Sequence, residues 1–208
     1  MGLNNRFYRK KIGKKRRLIG APNEAMKEIQ ERIVKFLRKV APRFHNATAS
    51  KYGPGSVKNA RAHKGNNFIF SLDFANAFDS TNCHRLCEII ADRVKKYTHR
   101  SQIPPTANEW YDFLSKYAFT RKGGLIQGAS ASSFLLDWYC EVMVDKPIRK
   151  LLRYHRINHG VSVVYTRYVD DSIFSARYSH ADLPQPITLR LRRGIRKIIA
   201  GAGYQENV

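Results

Sequence analysis

The chain has 208 residues, of which 38 are Lys or Arg and 16 are Asp or Glu, so its formal net charge is +22. Such an excess of positive charge attracts polyanions, of which nucleic acid is the commonest, and it excludes an ordinary small-molecule enzyme of this length. Because 43% of the residues are hydrophobic and 12% aromatic, the chain can form a packed core, which argues against a protein that only coats RNA.

The lengths of the apolar runs and the spacing of the cysteines indicate the cellular compartment. No apolar run approaches the roughly 18 residues of a membrane span, and no N-terminal apolar segment resembles a signal peptide. The three cysteines, Cys83, Cys87 and Cys140, include no CxxC pair and give no disulfide framework. We therefore expect a cytoplasmic protein without membrane contact. The spacing of Cys83 and Cys87 favours buried thiols on one helix face over a zinc site.

The N-terminal third begins with a basic segment. The first 17 residues hold eight Lys or Arg and no acid, which indicates either a disordered tail or a phosphate-binding arm. A short strand follows from Arg17 to Pro22. Asn23 is a candidate N-cap for a helix with apolar residues at helical spacing, which Pro42 closes. Residues 43–66 are polar and rich in glycine, so we expect a loop there.

The rest of the chain mixes strands and helices. We expect a strand over 67–73, a helix capped by Asp79 to Thr81, a shorter helix over 107–117, and a long helix over 130–152 bent near Pro147. Two runs rich in β-branched and aromatic residues, 161–168 and 172–178, predict a hairpin, and a basic helix over 186–201 follows. Because strands and helices are mixed without a strict βαβ order, an α+β fold is favoured over a doubly wound α/β fold.

Three aspartates carry the functional prediction. Asp170 and Asp171 lie at the tip of the predicted hairpin, and Asp73 ends the separate strand. If the three carboxylates meet, they repel one another, and a hard cation with a preference for oxygen, such as Mg²⁺, neutralises them. We take His63 to be a hydrogen-bonding loop residue, and His155 and His159 to be surface residues.

Four segments in order resemble the reverse transcriptases, and most of all those of bacterial retrons. They are a basic strand with RLIGAP at 17–22 and a helix with MKEIQ at 26–30, SLDFANAFDS at 71–80, LIQGASASS at 125–133, and YTRYVDD at 165–171. Each is weak alone, and four in the right order make chance agreement improbable. Ile126 and Ser133 stand where the family has proline.

The resemblance implies a right-hand polymerase of fingers and palm, with an antiparallel palm sheet packed on helices. Residues 1–68 would be the N-terminal fingers, 69–90 palm, 91–124 a helical insertion, and 125–208 palm. The chain ends inside a segment that is similar to the family's Gly-x-x-x-Asn-x-x-Lys, so a thumb is expected to be missing or supplied by a second chain.

The resemblance also implies roles for individual residues. Asp73, Asp170 and Asp171 would be catalytic and, with the Phe74 carbonyl, would hold two Mg²⁺ ions, with Mn²⁺ as an alternative. Residues for the incoming nucleotide would be Arg16, Arg17, Ala77, Phe78, Gln127 and Gly128. Residues for nucleic acid would be Lys15, Lys51, Lys58, Arg61 and Tyr168.

These roles imply an RNA-directed DNA polymerase that uses dNTPs, an RNA template and a DNA or RNA primer, in a retron or antiviral-defence setting. Two alternatives remain open. One is a related defence polymerase with protein-primed or untemplated synthesis. The other is a thumbless, non-catalytic RNA-binding subunit or half of a split polymerase.

Overall fold

The computed structural model describes residues 5–12, 15–49, 55–97, 106–177 and 185–207, with side chains from residue 19 onward and, in the last segment, from residue 188. The chain divides into two compact units. The first comprises Met1–Arg43 and Phe78–Trp138, and the second comprises Phe44–Ala77 and Tyr139–Val208. The mixture of helices with an antiparallel sheet confirms the α+β class.

The first unit contains a hairpin and three longer helices. Its elements are β1 (Asn5–Ile12), β2 (Lys15–Pro22), α1 (Glu24–Leu37), α4 (Cys83–Tyr97) and α5 (Ala107–Ser115). β1 and β2 pair antiparallel along their whole length, from Asn5 opposite Pro22 to Ile12 opposite Lys15. The expectation of a disordered tail is therefore wrong for residues 5–12, because their backbone groups are paired with β2, whereas phosphate binding by this segment stays a prediction.

Two helix N-caps were predicted in the first unit, and the structure confirms the one at Asn23 and not the one at Asp79. Asn23 accepts a hydrogen bond from the Met26 backbone N–H at 3.0 Å, as predicted. Asp79 does not cap the next long helix. It lies inside α3 (Ala77–Ser80), and the Asn82 side chain caps α4 by accepting from the Arg85 N–H at 2.9 Å.

Gln30, within the MKEIQ motif, joins distant segments of the first unit. The side chain is fully buried. Its Nε2 donates to the Tyr117 carbonyl at 2.7 Å, and its Oε1 accepts from the Ser130 N–H at 3.0 Å. A buried amide satisfied at both ends fixes these two loops relative to α1.

The second unit is built on a three-stranded antiparallel sheet of order β3-β5-β4. Its elements are α2 (Gly55–Ala62), β3 (Phe68–Asp73), a π-helical segment (Glu141–Asp145), α7 (Lys146–His159), β4 (Val164–Tyr168), β5 (Asp171–Ala176) and α8 (Gln185–Gly201). The predicted strand and hairpin are confirmed. The loop expected over 43–66 is wrong in part, because α2 lies within it.

One sheet face carries the aromatic core of this unit. Phe70, Phe174 and Tyr165 lie side by side on the three strands, with ring centroids 4.8 and 4.7 Å apart. Alternation of side chains along each strand puts Ser172 and Arg167 on this same buried face. The opposite face carries Asp73, Asp171 and Tyr168.

The long helix predicted over 130–152 is divided into three parts. α6 (Ser132–Cys140) leads into the π-helical segment, and α7 follows. Pro147 lies in the first turn of α7, where a missing N–H costs least, so the irregularity precedes the proline instead of lying at it. The π-helical segment turns Glu141 and Asp145 into the interior, where both are buried.

Cysteine and histidine placements complete the comparison with the sequence. All three thiols are buried, and burial raises the pKa of Cys87 to about 12, so they are inert core residues. His155 is only 4% exposed and is not the surface residue expected, whereas His159 is exposed. None of the helices in the described ranges is long and apolar enough to cross a membrane.

Candidate active site

The ends of three strands bring two of the predicted aspartates together. Asp73, the last residue of β3, lies directly opposite Asp171, the first residue of β5, and Tyr168, the last residue of β4, lies opposite Asp171 on the other side. Residues that face each other across antiparallel strands point to the same side of the sheet. Two carboxylates and one aromatic ring therefore share one end of one face.

Asp170 lies in the two-residue loop that joins β4 to β5. Its carbonyl oxygen accepts a hydrogen bond from the Phe74 N–H at 3.3 Å, so the loop contacts the residue directly after Asp73. The first loop residue, Val169, has a φ of +58°. A left-handed backbone is a genuine outlier for a β-branched residue and costs on the order of 1–3 kcal/mol.

Arg167 stabilises this strained loop from the buried face. Its Nη1 donates to the Val169 carbonyl at 2.6 Å, and its Nε and Nη2 donate to the two carboxylate oxygens of Asp145 at 3.1 and 3.0 Å. Both side chains of this ion pair are completely buried. Tyr165 donates its hydroxyl to Asp145 at 2.6 Å, and burial followed by the Asp145 charge raises the tyrosine's pKa.

Electrostatic repulsion is concentrated at the strand ends. Burial, and then the nearby charge of Asp73, raise the pKa of Asp171 above its ordinary value. Like charges directly opposite each other across a sheet are destabilising. The site therefore gains stability from any cation that binds between the two carboxylates.

Asn207 contacts Asp73 by two hydrogen bonds. Its side-chain Nδ2 donates to Asp73 Oδ2 at 2.8 Å, and its backbone N–H donates to the Asp73 carbonyl at 2.8 Å. The residues before it, Gln205 and Glu206, pair with the backbone around Phe74. The Gly-x-x-x-Asn segment at 203–207 thus holds the first aspartate in place.

The donor set fits a hard divalent ion. Asp73 and Asp171 are carboxylates at facing strand ends, and Asp170 is a third in the adjoining loop; carboxylate oxygens are the ligands Mg²⁺ prefers. A raised carboxyl pKa next to a second carboxylate is the situation that a cation relieves. Within the described ranges, no three acidic, His or Cys side chains are close enough to enclose an ion as they stand. An ion bound here would keep part of its water shell, as Mg²⁺ commonly does.

α2 and the residue that follows it lie behind Tyr168 on the aspartate face. His63 is buried, and its two ring nitrogens are each 2.6 Å from a hydroxyl, Ser175 Oγ on one side and Thr166 Oγ1 on the other. This confirms the hydrogen-bonding role expected for His63. Burial lowers the pKa of the imidazole, which favours its neutral form.

The residues predicted to bind nucleic acid fall into two groups. Lys58 and Arg61 are exposed on α2, and Tyr168 is 37% exposed at the edge of the aspartate face. Lys51 lies outside the described residues, and so does the side chain of Lys15. The described members of the set therefore belong to the same unit as the three aspartates.

The predicted nucleotide-binding residues mostly lie in the first unit. The Gly20 N–H of β2 donates to the Gln127 carbonyl at 2.8 Å, which joins the strand of Arg16 and Arg17 to the LIQG segment. Gly128 has a φ of +98° and lies against β2, where an added Cβ would be 2.6 Å from the Gly20 oxygen. The side chains of Arg16 and Arg17 lie outside the described residues.

The remaining two residues of this set are at the start of α3. Ala77 is 2% exposed, and Phe78 is half-buried. The Phe78 carbonyl accepts from the Leu125 N–H at 2.8 Å, which places the LIQG segment beside it within the first unit. No structural observation assigns either side chain to a nucleotide.

Sequence reasoning did not identify Asp145 or give roles to Arg167 and Asn207. An arginine inside an apolar strand was an available signal, because a buried guanidinium needs a buried acid. The acid that pairs with Arg167 is Asp145, which the π-helical segment turns into the interior, and the sequence did not predict that segment. For Asn207 the signal was its place in the Gly-x-x-x-Asn motif.

Comparison with known proteins identifies the family. Residues 8–198 match the family described as reverse transcriptase (RNA-dependent DNA polymerase). Because the match covers most of the chain, this protein belongs to the reverse transcriptase family, whose members are nucleotidyltransferases.

Solved telomerase structures have a similar fold. A telomerase from Candida tropicalis in complex with a TWJ fragment of telomeric RNA aligns over 98% of this chain with 14% identity and a TM-score of 0.57. The apo C. tropicalis telomerase truncated from its C-terminal domain aligns over 96% with 15% identity and a TM-score of 0.58. The Candida albicans telomerase in complex with a TWJ fragment of telomeric RNA aligns over 98% of this chain with 11% identity and a TM-score of 0.61. This chain spans 39%, 48% and 41% of those three chains.

Proposed function

We propose that this protein is an RNA-directed DNA polymerase that adds dNTPs to a primer 3′-hydroxyl by two-metal nucleotidyl transfer. The observation that supports it most directly is the Asp73–Asp171 pair at the ends of neighbouring strands, with Asp170 in the adjoining loop. Membership of the reverse transcriptase family gives the reaction class.

Three carboxylates have distinct parts in this proposal. Asp73 and Asp170 would hold the metal ions, the Phe74 carbonyl would be a further ligand, and Asp171 would be an accessory carboxylate. Paired Mg²⁺ ions, when bound, stabilise the attacking and leaving oxygens of an in-line displacement at phosphorus. The protein's contribution is to hold the carboxylates at one end of the sheet. Asn207 fixes Asp73, and Arg167 fixes the loop of Asp170.

The incoming nucleotide is assigned to the other motif residues. Arg17 and Arg16 would bind the triphosphate, because guanidinium forks match phosphate oxygens. Gln127 and Gly128 would lie beside the incoming nucleotide and the template base. Phe78, five residues after Asp73, leaves no room for a 2′-hydroxyl and so selects deoxynucleotides, with Ala77 beside it.

RNA is the proposed template. The net charge of +22 and the exposed Lys58, Arg61 and Tyr168 support a nucleic-acid groove, and two of the telomerase structures contain telomeric RNA. The order of the motifs and their residue identities, above all YTRYVDD, favour a retron-like enzyme.

The test is primer extension by the purified chain with Mg²⁺, dNTPs and a primed RNA template, repeated without template and without primer. We expect template-dependent extension that Asp73→Asn and Asp170→Asn each abolish while RNA binding persists. Asp92→Asn is the matched control, because Asp92 is an exposed carboxylate on α4. Extension without template or primer would favour the untemplated or protein-primed alternative. Full extension by either mutant would refute the assignment of these aspartates.

A further inference from the structure

A cavity in the second unit carries positive charge away from the three aspartates. It has a volume of about 240 Å³ and lies between α7 and the start of β4. Its polar lining is made by Arg149, Arg153, Arg156, Asn46 and Ser162. Among the residues that the structure describes, no carboxylate lines this cavity, and three arginine side chains do.

Arg149 forms a rigid wall of this cavity. Its Nη2 donates to Glu141 Oε1 at 2.5 Å, and its Nη1 donates to Asn46 Oδ1 at 2.7 Å. Asn46 in turn donates to the Tyr165 carbonyl of β4 at 2.8 Å. Because the buried Glu141 offsets its charge, Arg149 orients the wall and the net charge comes from the other two arginines.

Arg153 and Arg156 are exposed, and neither forms an ion pair with any residue that the structure describes. The positions 149, 153 and 156 are four and three residues apart, so they lie on one face of α7. α7 carries five Lys or Arg residues and no acid. A basic residue in the last helical turn, such as Arg156, is favoured by the helix dipole, but that effect does not extend to Arg153.

The cavity is distinct from the proposed polymerase centre. It opens beside Val163 and Tyr165, at the beginning of β4, whereas the aspartates lie past its other end at Tyr168 and Asp171. At about 3.3 Å per residue, Tyr165 is roughly 10 Å from Tyr168 along the chain, and Val163 is roughly 16 Å from it. A phosphate in this cavity is therefore not the triphosphate of a nucleotide held at the aspartates.

We propose that this cavity binds a backbone phosphate of RNA, at a site separate from the polymerase centre. Arg153 and Arg156 act as the charged donors, Ser162 as a neutral donor, and the fixed Arg149 as the wall. Two uncompensated guanidinium groups match one phosphodiester with bidentate geometry. The naming of RNA rests on the proposed function, whereas the anion site rests on the cavity.

The test compares two double variants of the same helix. Arg153→Gln with Arg156→Gln removes the two charges of the cavity. Lys146→Gln with Lys150→Gln removes two exposed charges of α7 that do not line it. RNA affinity is measured for both against salt concentration, with a structured RNA longer than the primer–template used for extension.

We expect the double arginine variant to bind RNA roughly tenfold more weakly or worse. Its plot of log K against log salt concentration should be less steep, by the equivalent of about one or two phosphate contacts. The double lysine variant should have a several-fold smaller effect. Extension of a short pre-annealed primer–template at saturating concentration should be unchanged in both variants. Equal losses in the two variants, or none in the arginine pair, would overturn the site.

Two further readouts separate the possible failures. If the wild-type chain extends no primer, the proposed function fails, but the RNA-binding comparison still decides the site. NMR signals of the Arg153 and Arg156 side chains are followed during titration with RNA and with inorganic phosphate. If inorganic phosphate shifts these signals as much as RNA does, at equal total concentrations of phosphate groups, RNA would be overturned as the ligand.

Discussion

Arg167 Nη1 lies 2.6 Å from the carbonyl oxygen of Val169, the residue that begins the Asp170 loop with a left-handed backbone. The same guanidinium forms a two-point ion pair with the buried Asp145. A strained loop that carries a proposed metal ligand is therefore held from beneath by a buried ion pair.

Arg167→Ala should destabilise the protein by about 3–5 kcal/mol, because it leaves the Asp145 charge buried without a partner. Chemical denaturation measures this loss. Arg167→Lys keeps a positive charge for Asp145 but not a fork that also reaches Val169. We expect it to lower kcat of primer extension with little change in KM for dNTP. A wild-type kcat in Arg167→Lys would show that the contact with Val169 does not position the loop.

Asn207→Ala should raise the Mg²⁺ concentration needed for half-maximal extension roughly tenfold, because residues that orient a metal ligand commonly have effects of 10–100-fold on affinity. The physical reason is the loss of the donor to Asp73 Oδ2. A Mg²⁺ titration of extension rate measures it. Gln205→Ala is the control, since the Gln205 side chain is exposed in the same segment. Equal shifts in the two variants would contradict a specific role for Asn207.

Asp171→Asn should stabilise the metal-free protein at neutral pH. Because the folded-state pKa of Asp171 is raised above 3.8, its charged form is disfavoured by folding, and the resulting destabilisation develops as pH rises from 3.8 through the raised pKa. Below 3.8 the wild-type group is neutral in both states, so the two proteins should have similar Tm values there. Thermal unfolding across this pH range tests the sign. An Asn variant that is less stable at neutral pH would contradict an unfavourable charge on Asp171 caused by burial and by repulsion from Asp73.

Gly128→Ala should destabilise the first unit more than Gly65→Ala destabilises the second. Both glycines have positive φ, +98° and +81°, but an added Cβ meets β2 at Gly128 and nothing within 4 Å at Gly65. The Gly65 variant therefore measures backbone strain alone, on the order of 1 kcal/mol, and the Gly128 variant adds overpacking of about 1–3 kcal/mol. Thermal unfolding of both is the measurement. Equal losses would mean that β2 moves aside at no cost.

Phe78→Ala should raise incorporation of rNTPs relative to dNTPs by roughly tenfold, equivalent to about 1.4 kcal/mol. The reason is the space that the ring would deny to a 2′-hydroxyl. The ratio of kcat/KM for matched dNTP and rNTP measures it. Phe113→Ala removes another half-buried ring of the first unit and controls for general destabilisation. Unchanged discrimination in Phe78→Ala would leave Phe78 as a packing residue only.

Local signals in the sequence were sufficient for the elements that depend on neighbours in the chain. The helix from Asn23, the β3 strand and the β4–β5 hairpin all have the period and caps of their type. Local signals were insufficient for elements whose structure depends on pairing with a distant segment. Residues 5–12 carry the composition of a solvated basic arm, and only the partner strand β2 makes them a strand. The helix α2 is likewise stabilised by contacts with the distant β4.

The sequence by itself determined the net positive charge, the α+β class, and three aspartates placed at strand ends, because composition and periodicity are properties of the chain alone. Only the tertiary structure decided that Asp73 lies opposite Asp171, that Asn207 contacts Asp73, and that Asp145 is the partner of Arg167. The physical reason is that register, the return of a distant segment, and the pairing of a buried charge are each chosen by the packing of the whole unit. No local pattern encodes which of several carboxylates is left inside.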